Sequence, residues 1–89
     1  MEQFKQEIIK IESAVNSFAA EIKRRMFEQL MKGYLGWDGK YPTDKLQIEM
    51  SEDTVRVLNG EGVEKNLVDV GARAMMLWFR ETVKGEGDG

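Results

Sequence analysis

The chain lacks cysteine and histidine altogether, and it has a single proline, Pro42. Without cysteine it offers no disulfides, thiolate nucleophiles, zinc fingers or iron–sulfur clusters. Without histidine it offers neither a Ser-His-Asp nor a Cys-His catalytic arrangement, and no imidazole ligand for a metal. Any metal bound by this sequence would therefore be a hard cation held by oxygen atoms, with magnesium or manganese as the first candidates.

Long apolar runs and an excess of positive charge are missing as well. No run approaches the roughly 18 apolar residues that span a bilayer. The first ten residues, MEQFKQEIIK, carry acidic side chains where a signal peptide has a basic region. The net charge of −3 gives no general attraction to nucleic acid. We therefore expect a cytoplasmic protein with neither a membrane partner nor a nucleic-acid partner.

The length of 89 residues predicts one small domain. A chain of this size buries only roughly 60–65% of its unfolded surface, so a partner subunit would add substantially to its core. We assign residues 1–84 to a single helical domain, with residues 1–16 as an N-terminal helical extension. The glycine-rich, acidic residues 85–89 are predicted to form a disordered tail.

The first third of the chain carries the most regular pattern. Six apolar residues recur at spacings of 4-3-4-3-4, which places them on one side of a helix: Phe4, Ile8, Ile11, Val15, Phe18 and Ile22. We call these six residues the α1 seam, where α1 denotes the predicted N-terminal helix that contains them. The pattern predicts one long helix or, because Asn16 and Ser17 are good N-caps, two helices that meet there. A stripe of this length needs a partner, so we expect a homo-oligomer, either a dimer or a tetramer.

Residues 32–42, KGYLGWDGKYP, contain three glycines and the proline, and are predicted to form a loop. Tyr34, Trp37 and Tyr41 are interleaved with the glycines. These aromatic side chains either cover the core as a lid or offer a stacking surface for a base or sugar. In the second case Lys32 is a candidate phosphate contact and Trp37 a candidate base contact.

The middle segment, residues 46–58, has two readings. Leu46, Ile48 and Met50 alternate with polar residues, and a run rich in β-branched residues follows, which locally favours a β-hairpin. As a helix, the same segment would place Leu46, Met50, Thr54, Val57 and Leu58 on one face.

The last apolar segment, from about residue 63 to residue 83, predicts a helix that is apolar on most of its sides. Asp69 and Arg73 are set into it one turn apart, at the spacing of an intrahelical ion pair. Glu52 and Arg56 have the same spacing in the middle segment. An acidic side chain in such an apolar helix is either neutralised by its neighbour or reserved for chemistry.

Two stretches together resemble a known family. FAAEIKRRMFEQLMKGYLGW, residues 18–37, is similar to the first helix and following loop of small phage and bacterial proteins of the MazG-like group. LVDVGARAMMLW, residues 67–78, is similar to a later helix of the same group. These proteins are all-α nucleoside triphosphate pyrophosphohydrolases. The resemblance covers about residues 17–80 and implies an all-α bundle that dimerises, which requires the middle segment to be a helix.

The resemblance also implies a magnesium or manganese site built from a Glu-x-x-Glu helix and a later aspartate. Carried over by position, the metal ligands are Glu49, Glu52 and Asp69. Glutamates three residues apart face the same way and repel each other unless a cation lies between them. The chain departs from the family pattern at Asn66, where a further glutamate is expected, and at Ala72, where an asparagine is expected.

Three functions follow as expectations. The first is magnesium-dependent hydrolysis of a nucleoside triphosphate to a monophosphate and pyrophosphate, with water as the nucleophile. The second is a non-catalytic helical module on the same scaffold, which associates through the α1 seam. The third is a module that binds a nucleotide without cleaving it.

Overall fold

The computed structural model describes residues 1–84, and this part of the chain consists of three α-helices and a short π-helical turn. Helix α1 spans Glu2–Met31, α2 spans Thr43–Leu58 and α3 spans Val63–Phe79, and the π-helical turn spans Arg80–Lys84. The prediction of an all-α fold is confirmed. Among the described residues, no helix has both the length and the apolar character needed to cross a membrane. The predicted disordered tail, residues 85–89, lies outside the described residues.

Glycines end the first two helices. Gly33 follows α1 with a φ of 90°, and Gly60 follows α2 with a φ of 75°. In each case the next residue donates its N–H to a carbonyl in the last helical turn: Tyr34 to Gln29 at 3.0 Å, and Glu61 to Arg56 at 2.9 Å. Glycine adopts this left-handed conformation without steric cost, so both helices end in the same kind of C-terminal motif.

The middle segment is helical, so the local hairpin reading is wrong. In a strand, Leu46, Ile48 and Met50 would share one face. In α2 they do not: Leu46 is buried, Met50 is half-buried and Ile48 is 57% exposed. The period of 3.6 residues instead places Leu46, Met50 and Val57 on the less exposed side of α2, and α2 packs against α3. Packing against α3 thus overrides the β-propensity of the Thr54–Leu58 run.

Helix α1 runs without a break through Asn16 and Ser17, so the reading with two helices is wrong. Its C-terminal half packs against α3, where Gly71 allows the side chains of Phe18 and Ile22 to approach the α3 backbone closely. Every residue from Met1 to Phe18 is exposed. Helix α3 is central, because both α1 and α2 pack against it.

The core is very small. Two apolar residues are buried in the described part of the chain, Leu46 at 3% and Ala72 at 4% exposure. Three polar side chains are buried with them: Asp53, Asn66 and Asp69. The Asn66 side chain is satisfied locally, since its Nδ2 donates to the carbonyl of Glu61 at 2.8 Å, across the turn before α3. More polar than apolar residues are therefore buried at the centre of this fold.

Candidate functional site

An open cleft of about 680 Å³ lies between α1, α3 and the loop of residues 32–42. Its volume is in the range of small-molecule binding sites. Its walls are predominantly apolar, and the side chains that form them come from all three helices and include Ala19, Ile22, Met26, Leu30, Leu46, Met75 and Met76. The aromatic residues Tyr34, Trp37 and Tyr41 add to the walls from the loop side.

Five charged side chains interrupt the apolar walls, and all of them except Lys23 form ion pairs between helices. Asp69 of α3 is buried, and its Oδ1 accepts a hydrogen bond from Nε of Arg25 on α1 at 2.9 Å. Glu49 of α2 accepts through Oε2 from Nη2 of Arg73 on α3 at 3.0 Å. Both pairs are partly buried, so water screens them less than it screens ion pairs on the surface. Each pair also connects two helices, which fixes their relative position.

Arg73 holds a second carboxylate as well as Glu49. Its Nη1 donates to Oδ2 of the buried Asp53, and the other oxygen of Asp53 accepts from Nη1 of Arg56 at 2.7 Å. The hydroxyl of Tyr41 donates to Oε1 of Glu49. We call these five residues, Tyr41, Glu49, Asp53, Arg56 and Arg73, the α2–α3 network. All four carboxylate oxygens in it have a donor.

The spacing along single helices suggested the ion pairs Asp69–Arg73 and Glu52–Arg56, and the structure has other pairs instead. Asp69 pairs with Arg25 rather than with Arg73, because Arg73 reaches across to α2. Arg56 pairs with Asp53 rather than with Glu52, because Asp53 faces α3 while Glu52 is exposed. Spacing along one helix shows which side chains are neighbours on its surface, but it carries no information about partners on a facing helix.

The structure brings some of the predicted site residues together and separates others. Glu49, Asp69 and Trp37 all line the cleft. Glu52 is exposed on α2, and Lys32 is exposed at the C-terminal end of α1, and neither contributes to the cleft walls. Two of the three predicted metal ligands and one of the two predicted nucleotide contacts therefore share one site.

Carboxylate oxygens have the right chemistry for magnesium. Within residues 1–84, however, no group of three or more acidic side chains lies close enough together to hold a metal ion. The oxygens of Glu49 and one oxygen of Asp69 are hydrogen-bonded to Tyr41, Arg73 and Arg25 instead. As arranged, these side chains do not fit a site for a divalent ion. The assignment of Glu49, Glu52 and Asp69 as metal ligands remains a prediction of the family resemblance.

Arg80, the first residue of the π-helical turn, fixes the loop that carries Trp37. Its guanidinium donates to the carbonyls of Trp37 at 2.8 Å and Tyr41 at 2.7 Å, and to Oγ1 of Thr43 at 3.0 Å. The Trp37 ring also packs against Phe79, with ring centroids 5.0 Å apart and an angle of 57° between the ring planes. Trp37 is thus held at the cleft wall from both its backbone and its ring.

The sequence did not single out Arg25, Asp53 or Arg80 as residues of this region, and it gave Tyr41 only as an aromatic side chain of the loop. A signal for Asp53 was present, because it lies four residues after Glu49 and seven after Leu46, which places all three on one face of α2. No comparable signal exists for Arg25 or Arg80. Their partners lie about 40 residues away in sequence, so their roles become visible only in the folded chain.

The hydrogen bond between Tyr41 and Glu49 affects the phenol's acidity. Donation to the Glu49 carboxylate favours the protonated phenol, and partial burial and the negative charge of Glu49 act in the same direction. Together they raise the pKa of Tyr41 above its usual value, although the positive charge of Arg73 opposes the shift. Tyr41 therefore remains a hydrogen-bond donor throughout the neutral pH range.

Comparison of the chain with protein-family models, with curated proteins and with solved structures gives no match.

Proposed function

We propose that the chain is a helical association module, in which the α1 seam and the adjoining wall of the cleft are covered by a second copy of the same chain. The observation that carries the proposal is the contrast between the core and the surface. Two apolar residues are buried among those described, whereas five of the six seam residues are exposed.

The exposed seam is large and regular. Phe4, Ile11 and Val15 are each about 60% exposed, and the seam continues at Ile22 into the cleft. Monomeric proteins rarely expose contiguous apolar surface of this extent, and such a surface marks a site of interaction. The free energy gained by removing it from water is roughly 25 cal/mol per Å² of apolar area. Covering the seam would compensate for the small core.

A second copy of the chain has the surface that the seam requires. Apolar residues spaced 4-3-4-3-4 interdigitate best with another helix of the same spacing, as in coiled coils. Helix α1 of a second copy has that spacing by definition, and closed two-fold pairing is the commonest form of self-association. The exposed 4-3 pattern thus supports a dimer formed by two copies of α1.

The test is the mass of the protein in solution as a function of concentration, measured by light scattering or sedimentation. We expect the wild type to be dimeric or larger at micromolar concentration. The double variant Ile11→Glu, Val15→Glu places two charges in the seam, and we expect it to be monomeric. Ser13→Glu is the matched control, because residue 13 lies on the opposite side of α1, and it should associate like the wild type.

Two results would contradict the proposal. A wild type that remains monomeric at high concentration would show that another partner, or none, covers the seam. Equal loss of association in the Ser13→Glu variant would show that added charge, and not the seam, is responsible.

The second candidate function is binding and hydrolysis of a nucleoside triphosphate, as the MazG resemblance implies. What supports it is the convergence of Glu49, Asp69 and Trp37 on one cleft, beside the guanidinium groups of Arg25 and Arg73. The ring of Trp37 offers a stacking surface for a base, and guanidinium groups bind phosphate well. Both carboxylates are engaged by arginines, so this function ranks second.

The second candidate is tested by incubating the protein with a panel of nucleoside triphosphates and magnesium or manganese, and measuring pyrophosphate. An enzyme should release pyrophosphate from at least one of them, and Glu49→Gln should abolish the release. Nucleotide binding is measured in parallel by equilibrium dialysis, which does not depend on the fluorescence of Trp37. Trp37→Ala should abolish it, and Trp78→Ala, which removes an exposed ring outside the cleft, should not. Binding without product would favour the nucleotide-sensing module. If the protein neither binds nor cleaves any of the nucleotides, both the enzyme and the sensing module are excluded.

A further inference from the structure

Arg73 is the only residue of the α2–α3 network that contacts both of its carboxylates. Its two terminal nitrogens donate to different residues of α2, Nη1 to Asp53 and Nη2 to Glu49. Glu49 and Asp53 lie one helical turn apart on the same face, so their negative charges repel each other. A planar guanidinium fork can hydrogen-bond to both at once, which a lysine ammonium does less well.

The α2–α3 network is also balanced in charge. Arg56 and Arg73 contribute two positive charges, and Glu49 and Asp53 contribute two negative charges. The two arginines differ in their surroundings: the side chain of Arg73 is 24% exposed, and that of Arg56 is 50% exposed. Among the described residues, no buried side-chain nitrogen or oxygen lacks a hydrogen-bond partner. The negative charges of the network are therefore already neutralised by its own arginines.

We infer that Arg73 is a built-in cation that occupies the position between Glu49 and Asp53, and that it makes the folded chain indifferent to divalent ions. A divalent ion binding to these carboxylates would have to displace the guanidinium, which would leave a largely buried positive charge without its partners. Separating such a pair is unfavourable, because both charges lose their compensation. Arg73 thus neutralises Glu49, one of the three carboxylates that the family resemblance assigns to magnesium.

The inference does not depend on self-association through the α1 seam, because the α2–α3 network lies within one chain. It bears on the second candidate function, since a metal-dependent enzyme would need Glu49 free to bind the ion. Thermal melting separates the two questions, because it detects bound ions whether or not any nucleotide is cleaved.

The test compares melting temperatures in magnesium chloride, manganese chloride and sodium chloride at equal ionic strength. For the wild type we expect the same melting temperature in all three salts. Arg73→Met leaves Glu49 and Asp53 without their shared cation, so it should melt several degrees lower. The two divalent salts should then recover part of that loss, and sodium chloride should not. Adding Glu49→Gln and Asp53→Asn to Arg73→Met should remove the divalent-specific recovery.

The matched control is Arg56→Met, which removes a positive charge from Asp53 but leaves Arg73 in place. It should show no divalent-specific change in melting temperature. Arg73→Lys keeps one charge but reaches both carboxylates poorly, and it should show a smaller recovery than Arg73→Met. This variant also gives a measurement if Arg73→Met does not fold. A divalent-specific rise in the wild type, or none in either Arg73 variant, would overturn the inference.

Discussion

Helices α2 and α3 differ from helix α1 in how much of their surface is buried. Leu46 of α2 and Ala72 of α3 are buried, and the carboxylates of Glu49 and Asp53 on α2 are held by Arg73 of α3. Helix α1 is the longest element, with 30 residues, yet none of its residues is fully buried. The comparison shows that all the buried residues of the described chain belong to α2 and α3. Helix α1, in contrast, is attached by its C-terminal half and leaves its other half available for a partner.

The largest effect is expected where α2 meets α3. Leu46→Ala should lower the free energy of unfolding by roughly 2–4 kcal/mol, because it removes apolar contacts and leaves a cavity in a very small core. The matched control is Ile48→Ala on the exposed side of α2, which should cost less than about 1 kcal/mol. Both are measured by denaturant unfolding at one protein concentration. Equal costs would mean that Ile48 is buried in solution, for instance by a second chain.

The second-largest loss of stability is expected when a charge is removed from the interface between α2 and α3. Asp53→Asn should cost about 1–3 kcal/mol, because Arg73 and Arg56 both lose an ionised partner and Arg73 is largely buried. Partial exposure of the arginines keeps the cost below that of a fully buried pair. Glu52→Gln is the control, since Glu52 is exposed, and it should change the stability by less than about 0.5 kcal/mol. A larger effect at Glu52 than at Asp53 would reverse our assignment of the inward-facing acid.

Substitutions where α1 packs against α3 should cost less stability than those between α2 and α3. A methyl group at Gly71 would overlap the ring of Phe18 and lie 3.2 Å from Cδ1 of Ile22. Overpacking opposes the gain of about 1 kcal/mol that alanine usually brings within a helix. We expect Gly71→Ala to destabilise the fold by about 1 kcal/mol.

The same change in a Phe18→Ala background should instead stabilise the fold by roughly 0.5–1 kcal/mol, because the overlap with the ring is gone and the helix propensity of alanine remains. The measurement is a double-mutant cycle by denaturant unfolding. An effect of the same sign in both backgrounds would show that Phe18 does not contact α3 at this point.

The sequence correctly predicted the helices whose apolar residues recur at a regular spacing. The spacing of the α1 seam indicated a helix, and the apolar segment that contains Asp69 indicated another, because these patterns reflect the geometry of one element. The hairpin reading of residues 46–58 failed because alternation at Leu46, Ile48 and Met50 fits a strand locally. Only the presence of α3 decides that Ile48 faces outward.

The candidate site was less predictable from the sequence than the helices, because its ion pairs join residues that are far apart in the chain. Asp69 stood out as an acidic residue in an apolar helix, and Glu49 was named from the family resemblance. The partners of both could not be read from spacing. Arg25 lies 44 residues before Asp69, and Arg73 lies 24 residues after Glu49. Such pairs depend on how the helices cross, and a long side chain such as arginine has several acidic residues within reach. The sequence therefore pointed to Glu49 and Asp69 but not to Asp53, and not to the arginine partners of any of the three.

The smallest effect is expected at Tyr41, at the edge of the α2–α3 network. Its raised pKa means that the folded chain holds the phenolic proton more tightly than the unfolded chain does. The resulting stabilisation is fully present below the unfolded pKa of about 10. It is lost as the pH rises from there through the higher pKa of the folded state.

Tyr41→Phe removes both the proton and the hydrogen bond to Glu49. We therefore expect its stability to fall less steeply than that of the wild type when the pH is raised above about 10. At neutral pH the variant should be slightly less stable, because Glu49 then depends on Arg73 alone. Tyr34→Phe is the control, since Tyr34 is exposed, and it should follow the wild type across the alkaline range. Parallel curves for the wild type and Tyr41→Phe, measured by thermal melting at several pH values, would show that the phenol titrates as freely in the folded chain as in the unfolded one.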